Sequence, residues 1–250
     1  YLGPFLFEPF AADLARRVGR VDGGRILEFA CGTGILTAQL HARSGAAELV
    51  ATDVSQPMLD AAQHLRGDLP NVRYERADAA DLPFEDEGFD LVCGQFGWMF
   101  VEDKLACLRE VRRVLRPGGR LLFNVWDDYD SNPYVRVAQD AIASFFESDP
   151  PRFLEKPWGF SDVEPLRYLV HEAGLGEFEI DVVHHQSRDC TPESIAAGLV
   201  LGNPTVAEVE TRCPVPVDAV IAEVAQRLSA AFGPDDFAVP KRAIVVSARA

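Results

Sequence analysis

The segment that most constrains the fold runs from an apolar stretch into a glycine-containing loop and then into a helical pattern, between Ile26 and Thr37. Gly32 and Gly34 allow a tight turn, and they let a ligand approach the backbone without meeting a Cβ atom. In a parallel α/β sheet, such a loop lies at the carboxyl edge of a strand, where ligands bind. The segment therefore predicts a small-ligand site at this loop.

The surrounding sequence alternates short β-branched runs with helical segments, which is the pattern of βαβ units. Two later apolar runs predict strands that join the edge of the sheet, one of them antiparallel. We expect an α/β fold with a doubly wound, mostly parallel seven-stranded sheet, helices on both faces and a helical lid insertion. The predicted strands are Arg25–Ala30, Glu48–Asp53, Val72–Arg76, Phe89–Gly94, Arg120–Val125, Phe178–His185 and Arg242–Ala248.

The composition fits one domain over residues 1–250, in which 48% of the residues are hydrophobic. We expect residues 22–126 to form the ligand-binding core. Residues 127–165, which are rich in proline and aromatic residues, are expected to form a lid over the substrate. Helices and edge strands are expected over residues 166–250.

The charge and the cysteines indicate the compartment and exclude some partners. The chain has 24 Lys and Arg against 39 Asp and Glu, a net charge of −15, which would repel nucleic acid and anionic membranes. Its five cysteines are an odd number without a C-x-x-C pair, as in reduced cytosolic proteins. No apolar stretch reaches the ~20 residues of a membrane helix. We therefore expect a cytoplasmic protein with no nucleic-acid or membrane partner.

An acidic residue lies at or near the end of each of three successive predicted strands: Glu28, Asp53 and Asp78. Asp53 can accept hydrogen bonds from both ribose hydroxyls of a nucleoside. Asp78 and the backbone after it can bind an adenine edge, with Met58 and Leu59 beside the ring. These positions predict an adenosine-like ligand.

The loop is not a dinucleotide fingerprint, because Thr37 stands where its third glycine belongs. The carboxylate of Glu28, just before the loop, would also be poorly placed beside a pyrophosphate. A ligand with adenosine, no phosphates and a positive charge fits better, and S-adenosylmethionine is such a molecule.

Several motifs of segment 24–126 resemble those of class I S-adenosylmethionine-dependent methyltransferases, in particular the ubiquinone/menaquinone-biosynthesis-like, type 11 group of small-molecule enzymes. They are Glu28-Phe29-Ala30-Cys31-Gly32-Thr33-Gly34, Asp53-Val54-Ser55 with Met58-Leu59, Ala77-Asp78-Ala79 with Leu82-Pro83-Phe84, Phe89-Asp90-Leu91-Val92, and Val114-Leu115-Arg116-Pro117-Gly118-Gly119.

The resemblance implies a cofactor role for residues in these motifs. Glu28, Gly32 and Gly34 would hold the methionine end, Asp53 the ribose and Asp78 the adenine amino group. The backbone near Gln95 would bind the methionine amine. The candidate cofactor-binding residues are Glu28, Ala30, Cys31, Gly32, Gly34, Asp53, Val54, Met58, Asp78, Ala79 and Gln95.

The methyl acceptor is expected to be a small apolar or aromatic metabolite. After the fourth strand, where many relatives of the ubiquinone group have histidines, the chain has the apolar sequence Gln95–Phe100. Aromatic and Met side chains suit an apolar acceptor. The candidate substrate-pocket residues are Trp98, Met99, Trp126, Tyr134 and Trp158.

The expected reaction is in-line displacement at the sulfonium methyl, with S-adenosylhomocysteine as the product. A phenol or hydroxyl acceptor needs a base, for which Asp127, Tyr134 and His184 are candidates among which the sequence does not decide. No metal is expected, because magnesium-dependent methyltransferases need a carboxylate at the position of Gln95.

Two other functions stay open at the level of sequence. The chain could bind S-adenosylmethionine without catalysis, as a sensor or the partner of an active subunit. It could also be a nucleotide-dependent oxidoreductase, which the absent third glycine and Glu28 disfavour. The sequence leaves open whether the chain is a monomer or a homodimer.

Overall fold

Seven strands form one mixed sheet in the computed structural model, which describes residues 3–45, 47–158, 162–187, 190–233 and 237–250. The spatial order of the strands is β3-β2-β1-β4-β5-β7-β6. The strands are β1 (Arg25–Glu28), β2 (Glu48–Asp53), β3 (Val72–Arg76), β4 (Phe89–Gln95), β5 (Leu115–Trp126), β6 (Gly176–Ser187) and β7 (Val239–Arg249). The predicted doubly wound, mostly parallel sheet is confirmed.

Helices fill most of the connections between the strands. They are α1 (Glu8–Val18), α2 (Ile35–Arg43), α3 (Gln56–Arg66), α4 (Lys104–Val114), α5 (Pro133–Ala143), α6 (Glu164–Glu172), α7 (Pro192–Leu201), α8 (Thr205–Arg212) and α9 (Val217–Phe232). Local sequence explains where two of them begin. The side chain of Asp103 accepts a hydrogen bond from the backbone N–H of Ala106 at the start of α4, and Thr191 forms a capping box with Ser194 at the start of α7.

The chain divides into two compact units. The sheet unit comprises Phe10–Val125, Asp162–Val182 and Ile244–Ala250, and the helical unit comprises Tyr1–Pro9, Trp126–Ser161 and Val183–Ala243. One boundary between the units lies between Val125 and Trp126, next to the predicted end of the ligand-binding core at residue 126. The role of residues 127–165 as a lid remains a prediction.

The centre of the sheet unit is parallel and buried on both faces. β1 pairs in parallel with β2 on one side and β4 on the other. Ile26 and Leu27 of β1 are fully buried, as expected for a strand that helices cover on both faces. Because β1, β2 and β4 run in the same direction, the loops that follow them lie at one edge of the sheet.

The opposite side of the sheet contains the antiparallel pairing that the sequence predicts. The N–H of Gly118 donates to the carbonyl of Ala250 at 3.0 Å, whereas the N–H of Asp127 donates to the carbonyl of Arg242 at 3.2 Å. As the residue numbers rise along β5, the numbers of the hydrogen-bonded residues on β7 fall. β7 therefore runs antiparallel to β5. β5 begins at Leu115, five residues before the predicted start at Arg120, with a register shift against β4.

In the helical unit, α9 packs against α5 and α7. A buried aromatic cluster lies in the same unit. The rings of Trp126 and Trp158 are stacked with centroids 5.5 Å apart, and Tyr134 meets Trp158 edge-on at 6.2 Å. Phe5 meets Tyr134 edge-on at 5.9 Å. Among the helices of the described residues, none is long and apolar enough to cross a membrane.

Close packing across the sheet predicts that Gly94→Ala destabilises the protein. A Cβ atom at Gly94 would lie 2.5 Å from the ring of Phe29, which is buried and packs on Phe123 and so has little room to move. We expect the free energy of unfolding in urea to fall by about 1 to 3 kcal/mol. The control is Gly176→Ala, because a Cβ there meets no atom within 4 Å. Equal effects of the two substitutions would contradict this packing argument.

Candidate functional site

The loop after β1 is shaped by left-handed backbone conformations. Ala30, Gly32 and Gly34 have φ angles of 50°, 53° and 74°. A Cβ at Gly32 would meet no atom within 4 Å, so the backbone of the loop borders open space. A Cβ at Gly97, in contrast, would overlap the Cβ of Ala30. The loop is therefore open to a ligand on one side and closely packed against the segment after β4 on the other.

Asp53, the last residue of β2, holds the glycine loop. One carboxylate oxygen accepts a hydrogen bond from the N–H of Gly32 at 2.9 Å, and the other accepts one from the N–H of Ser55 at 2.9 Å. A carboxylate oxygen can accept more than one hydrogen bond, so both oxygens can still accept from a ligand. The two backbone bonds fix the orientation in which Asp53 would meet a ribose.

Glu28 lies beneath the loop and is 1% exposed. Its carboxyl group accepts a hydrogen bond from the hydroxyl of Thr37 at 2.7 Å. Burial raises the pKa of Glu28 to about 8; Thr37 opposes this shift and the charge of Asp53 adds to it. A cation bound nearby would favour the ionised carboxylate, so Glu28 can compensate the charge of a cationic ligand.

Apolar side chains remain exposed at the same edge of the sheet unit. Val54 is 57% exposed and Met58 is 45% exposed, although both follow the buried end of β2. Asp78 is exposed, and its side chain accepts a hydrogen bond from the N–H of Ala80. The N–H of Ala77 donates to the carbonyl of Asp53, so the ends of β3 and β2 are adjacent. This edge of the sheet unit therefore offers apolar surface on which an adenine ring could lie and a carboxylate that could accept its hydrogen bond.

The segment after β4 lies on the other side of the glycine loop. Gln95 ends β4 and is paired with Asn124 of β5, whose carbonyl accepts a hydrogen bond from the N–H of Phe96. Trp98 stacks on Phe123 with ring centroids 5.0 Å apart and is 1% exposed. Met99 is also buried, at 6% exposure, so both predicted pocket residues pack in the core of the sheet unit.

Three residues near the loop have no role in the sequence-based site. Thr37 binds Glu28, as described above, and Phe100 is 41% exposed at the end of the apolar segment. The hydroxyl of Tyr74 lies 3.3 Å from the position of a Cβ on Gly34 and has no hydrogen-bond partner among the described residues. Burial, with the charges of Glu28 and Cys31, raises the pKa of Tyr74 to about 12. No spacing in the sequence signals the contact between Thr37 and Glu28, because these residues lie on α2 and β1, on opposite sides of the glycine loop.

The other candidates lie in the helical unit. Trp126, Tyr134 and Trp158 are buried in the aromatic cluster described above. Asp127 forms an ion pair with Arg242 at 2.6 Å. Burial raises the pKa of Tyr134 well above its ordinary value.

His184 lies exposed on β6. Among the residues that the structure describes, no group of three or more His, Cys, Asp or Glu side chains could hold a metal ion.

This combination of a doubly wound sheet, a glycine loop after β1 and an acidic residue at the end of β2 defines a Rossmann-like nucleoside-binding domain. Comparison with known proteins identifies the family. Residues 27–123 match the family described as a methyltransferase domain.

A ubiquinone/menaquinone biosynthesis C-methyltransferase of Idiomarina loihiensis is 37% identical over 169 residues, which are 61% of this chain and 66% of that protein. A demethylmenaquinone methyltransferase of Staphylococcus saprophyticus is 30% identical over 174 residues, which are 64% of this chain and 73% of that protein. The solved structure of the YcgJ protein of Bacillus subtilis has a TM-score of 0.62 at 16% identity and covers 96% of this chain and 98% of its own, which shows the shared fold.

The chain belongs to the class I S-adenosylmethionine-dependent methyltransferases, in the ubiquinone/menaquinone-biosynthesis-like group. It is an enzyme whose cofactor is S-adenosyl-L-methionine. The residues present fit this cofactor, because the loop borders open space at Gly32 and carboxyl groups lie beneath and beside it at Glu28 and Asp53. The predicted class and cofactor are confirmed, whereas the roles of the individual site residues remain predictions.

The position of Asp53 predicts that Asp53→Ala weakens cofactor binding. The substitution removes the ribose acceptor and leaves the N–H groups of Gly32 and Ser55 without this partner. We expect a loss of about 1 to 3 kcal/mol, roughly 5- to 150-fold in the Kd for S-adenosylmethionine measured by isothermal titration calorimetry. Asp60→Ala, at an exposed site on α3, is the matched control. Unchanged affinity in Asp53→Ala would refute the assigned role.

The raised pKa of Glu28 predicts a pH-dependent stability. The folded state holds a proton that the unfolded chain releases above its ordinary pKa of 4.5. The resulting stabilisation is complete below that pKa and is lost as the pH rises to the folded-state pKa of about 8. Between pH 4.5 and about 8, the ionisation of Glu28 should lower the free energy of unfolding by at most about 1.4 kcal/mol per pH unit.

Glu28→Gln carries no titrating proton and should lack that slope in urea unfolding between pH 5 and 8. Glu179→Gln, at an exposed position of β6, should keep the slope of the unsubstituted protein. Identical slopes in the unsubstituted protein and Glu28→Gln would show that Glu28 ionises normally when folded.

Proposed function

We propose that this enzyme methylates a small apolar or aromatic acceptor, and that the acceptor is a reduced quinone precursor. The observation that carries the proposal is segment 95–101, whose seven residues contain no ionisable side chain. This segment begins at the last residue of β4 and lies against the glycine loop, because Gly97 leaves no space for a Cβ beside Ala30. Within the segment Phe100 is exposed and Gln95 and Val101 are half-buried, so the surface that it offers beside the cofactor loop is uncharged and favours an apolar acceptor over a charged one.

The relatives support the choice of a quinone precursor. The protein from Idiomarina loihiensis is named as a C-methyltransferase of ubiquinone/menaquinone biosynthesis, and that from Staphylococcus saprophyticus as a demethylmenaquinone methyltransferase. Both names describe methylation of an aromatic, apolar ring system. The uncharged segment 95–101 is compatible with such a ring and would be a poor surface for an acceptor that carries several charges.

In the proposed mechanism, Asp53 would hold the ribose, Glu28 would compensate the positive charge at the methionine end, and Val54 and Met58 would cover the adenine. When bound, S-adenosylmethionine supplies an electrophilic methyl group on a positively charged sulfur. The chain's main contribution is then to align the acceptor and to exclude water, because transfer to an aligned nucleophile needs little acid chemistry.

A quinol acceptor must lose a proton, and segment 95–101 has no group that can take it. The three sequence-derived candidates differ in their suitability. Tyr134 is the least suited, because its raised pKa keeps the phenol protonated at neutral pH. Asp127 is held in an ion pair with Arg242, and His184 is exposed to solvent. We propose Asp127 or His184 as the base if the reaction requires one.

The acceptor class can be tested with labelled S-adenosylmethionine and three compounds: a reduced naphthoquinone lacking the ring methyl group, an apolar phenol and a primary amine. We expect label in the naphthoquinol and, by mass spectrometry, a new carbon–carbon bond. Label in the phenol oxygen alone would retain the apolar acceptor and exclude the quinone. Transfer only to the amine, or no transfer while calorimetry shows bound cofactor, would refute the proposed acceptor.

The apolar segment also predicts the effect of Phe100→Asp. A negative charge there should lower kcat/KM for the naphthoquinol about tenfold or more, since a charge must be desolvated beside an apolar acceptor. The Kd for S-adenosylmethionine should change by less than about twofold, because Phe100 is not among the predicted cofactor residues. Tyr168→Asp makes the same kind of change at a residue of α6 that is 66% exposed. Equal kcat/KM in the two variants would show that Phe100 does not face the acceptor.

A further inference from the structure

A second pocket lies in the sheet unit, at the amino-terminal edge of the parallel strands and thus at the opposite edge from the glycine loop. It has a volume of about 410 Å³ and lies between the starts of β4 and β5, the end of α1 and the end of β7. Four arginines line it, with a single acidic residue, Asp90. We call this the arginine pocket; its arginines are Arg20, Arg116, Arg120 and Arg249.

Two of the arginines are fixed by groups in β4 and in α1. Asp90 forms an ion pair with Arg116, and its other oxygen accepts a hydrogen bond from the N–H of Arg25 at 2.8 Å. Arg120 donates to the carbonyl of Val18, the last residue of α1, at 2.7 Å. A carbonyl orients the Arg120 guanidinium without neutralising its charge. This charge is therefore available to an anion.

The other two arginines are oriented from the rim of the pocket. Arg20 forms an ion pair with Asp22 at 2.6 Å, and Arg249 forms one with Glu177 at 2.6 Å. Arg249 also donates to the carbonyl of Gly118 at 3.3 Å. A guanidinium has five N–H donors, so these bonds leave donors free to bind a further acceptor. The side chains of Arg20 and Arg249 are 72% and 48% exposed, which makes those donors accessible.

The grouping of these arginines runs against the charge of the whole chain. A protein with a net charge of −15 repels anions over most of its surface, yet four guanidinium groups surround this small pocket: three of them pair with carboxylates, and the charge of Arg120 is left over. Guanidinium groups match the geometry of phosphate oxygens, and several can bind one phosphate together. We propose that the arginine pocket binds the phosphate group of a small phosphorylated molecule. This proposal does not depend on the acceptor proposed above.

Phosphate binding can be measured on the whole protein by thermal unfolding and by calorimetry at constant ionic strength. The probes are inorganic phosphate and glycerol 3-phosphate, with acetate and chloride as comparison anions. We expect both phosphate compounds, and neither comparison anion, to raise the Tm. Tighter binding of glycerol 3-phosphate would assign the pocket to a phosphorylated metabolite, and equal binding would assign it to free phosphate.

Arginine substitutions test whether the bound phosphate is in this pocket. Arg120→Ala and Arg20→Ala should each weaken phosphate binding about tenfold. Arg20→Ala serves as the second variant because this exposed residue contributes little to folding. Arg152→Ala is the matched control: Arg152 is 64% exposed in the helical unit and pairs with Glu155 as Arg20 pairs with Asp22.

Cofactor binding distinguishes loss of the site from loss of the fold. Both pocket variants should bind S-adenosylmethionine with the affinity of the unsubstituted protein, since the glycine loop lies at the other edge of the sheet. The proposal is overturned if phosphate gives no more stabilisation than chloride, or if Arg152→Ala weakens phosphate binding as much as Arg20→Ala does.

Discussion

The hydrogen bond from Gly32 to Asp53 is the interaction on which the cofactor site depends. It joins the loop after β1 to the end of β2, and it forms only because these strands pair in parallel with Glu28 opposite Ala51. That register places Asp53 two residues beyond the pair and brings its carboxylate to the loop. The same backbone bond fixes the open face of the loop and the orientation of Asp53, so one contact connects the fold to the ligand site.

The two edges of the parallel strands in the sheet unit favour ligands of opposite charge. At the carboxyl edge, burial makes ionisation of Glu28 unfavourable and so raises its pKa. A cationic ligand would make the ionised carboxylate more favourable. At the amino edge, Arg116 and Arg120 are positioned by Asp90 and by a helix carbonyl. A chain with a large negative net charge can thus attract a cation at one edge and an anion at the other, because fields from close groups outweigh the distant, screened charges.

The sequence predicted most of the architecture because, in most segments, the hydrophobic pattern and the turn residues indicate the same secondary-structure element. The observed bounds of β2 and β3 match the predicted ones. The start of β5 was missed, because the proline and glycines after Leu115 favour a turn, whereas pairing with β4 and with the end of the chain makes this segment a strand. The two compact units were also not predicted. β6 and β7 each contribute residues to both units, so no linker or change of composition marks the boundaries that fall inside these strands.

Candidate residues for a cofactor site can be selected from sequence more readily than residues for an acceptor site, for a physical reason. Carboxylates and glycines at strand ends are fixed by backbone geometry, which the sequence reveals through spacing. Aromatic residues carry no such signal, since a buried tryptophan packs equally well against a substrate or another ring. Trp98 stacks on Phe123, and Trp126 stacks on Trp158. The informative property of segment 95–101 is instead the absence of charge beside a loop that is predicted to bind a cation, because that absence limits which acceptors can be desolvated there.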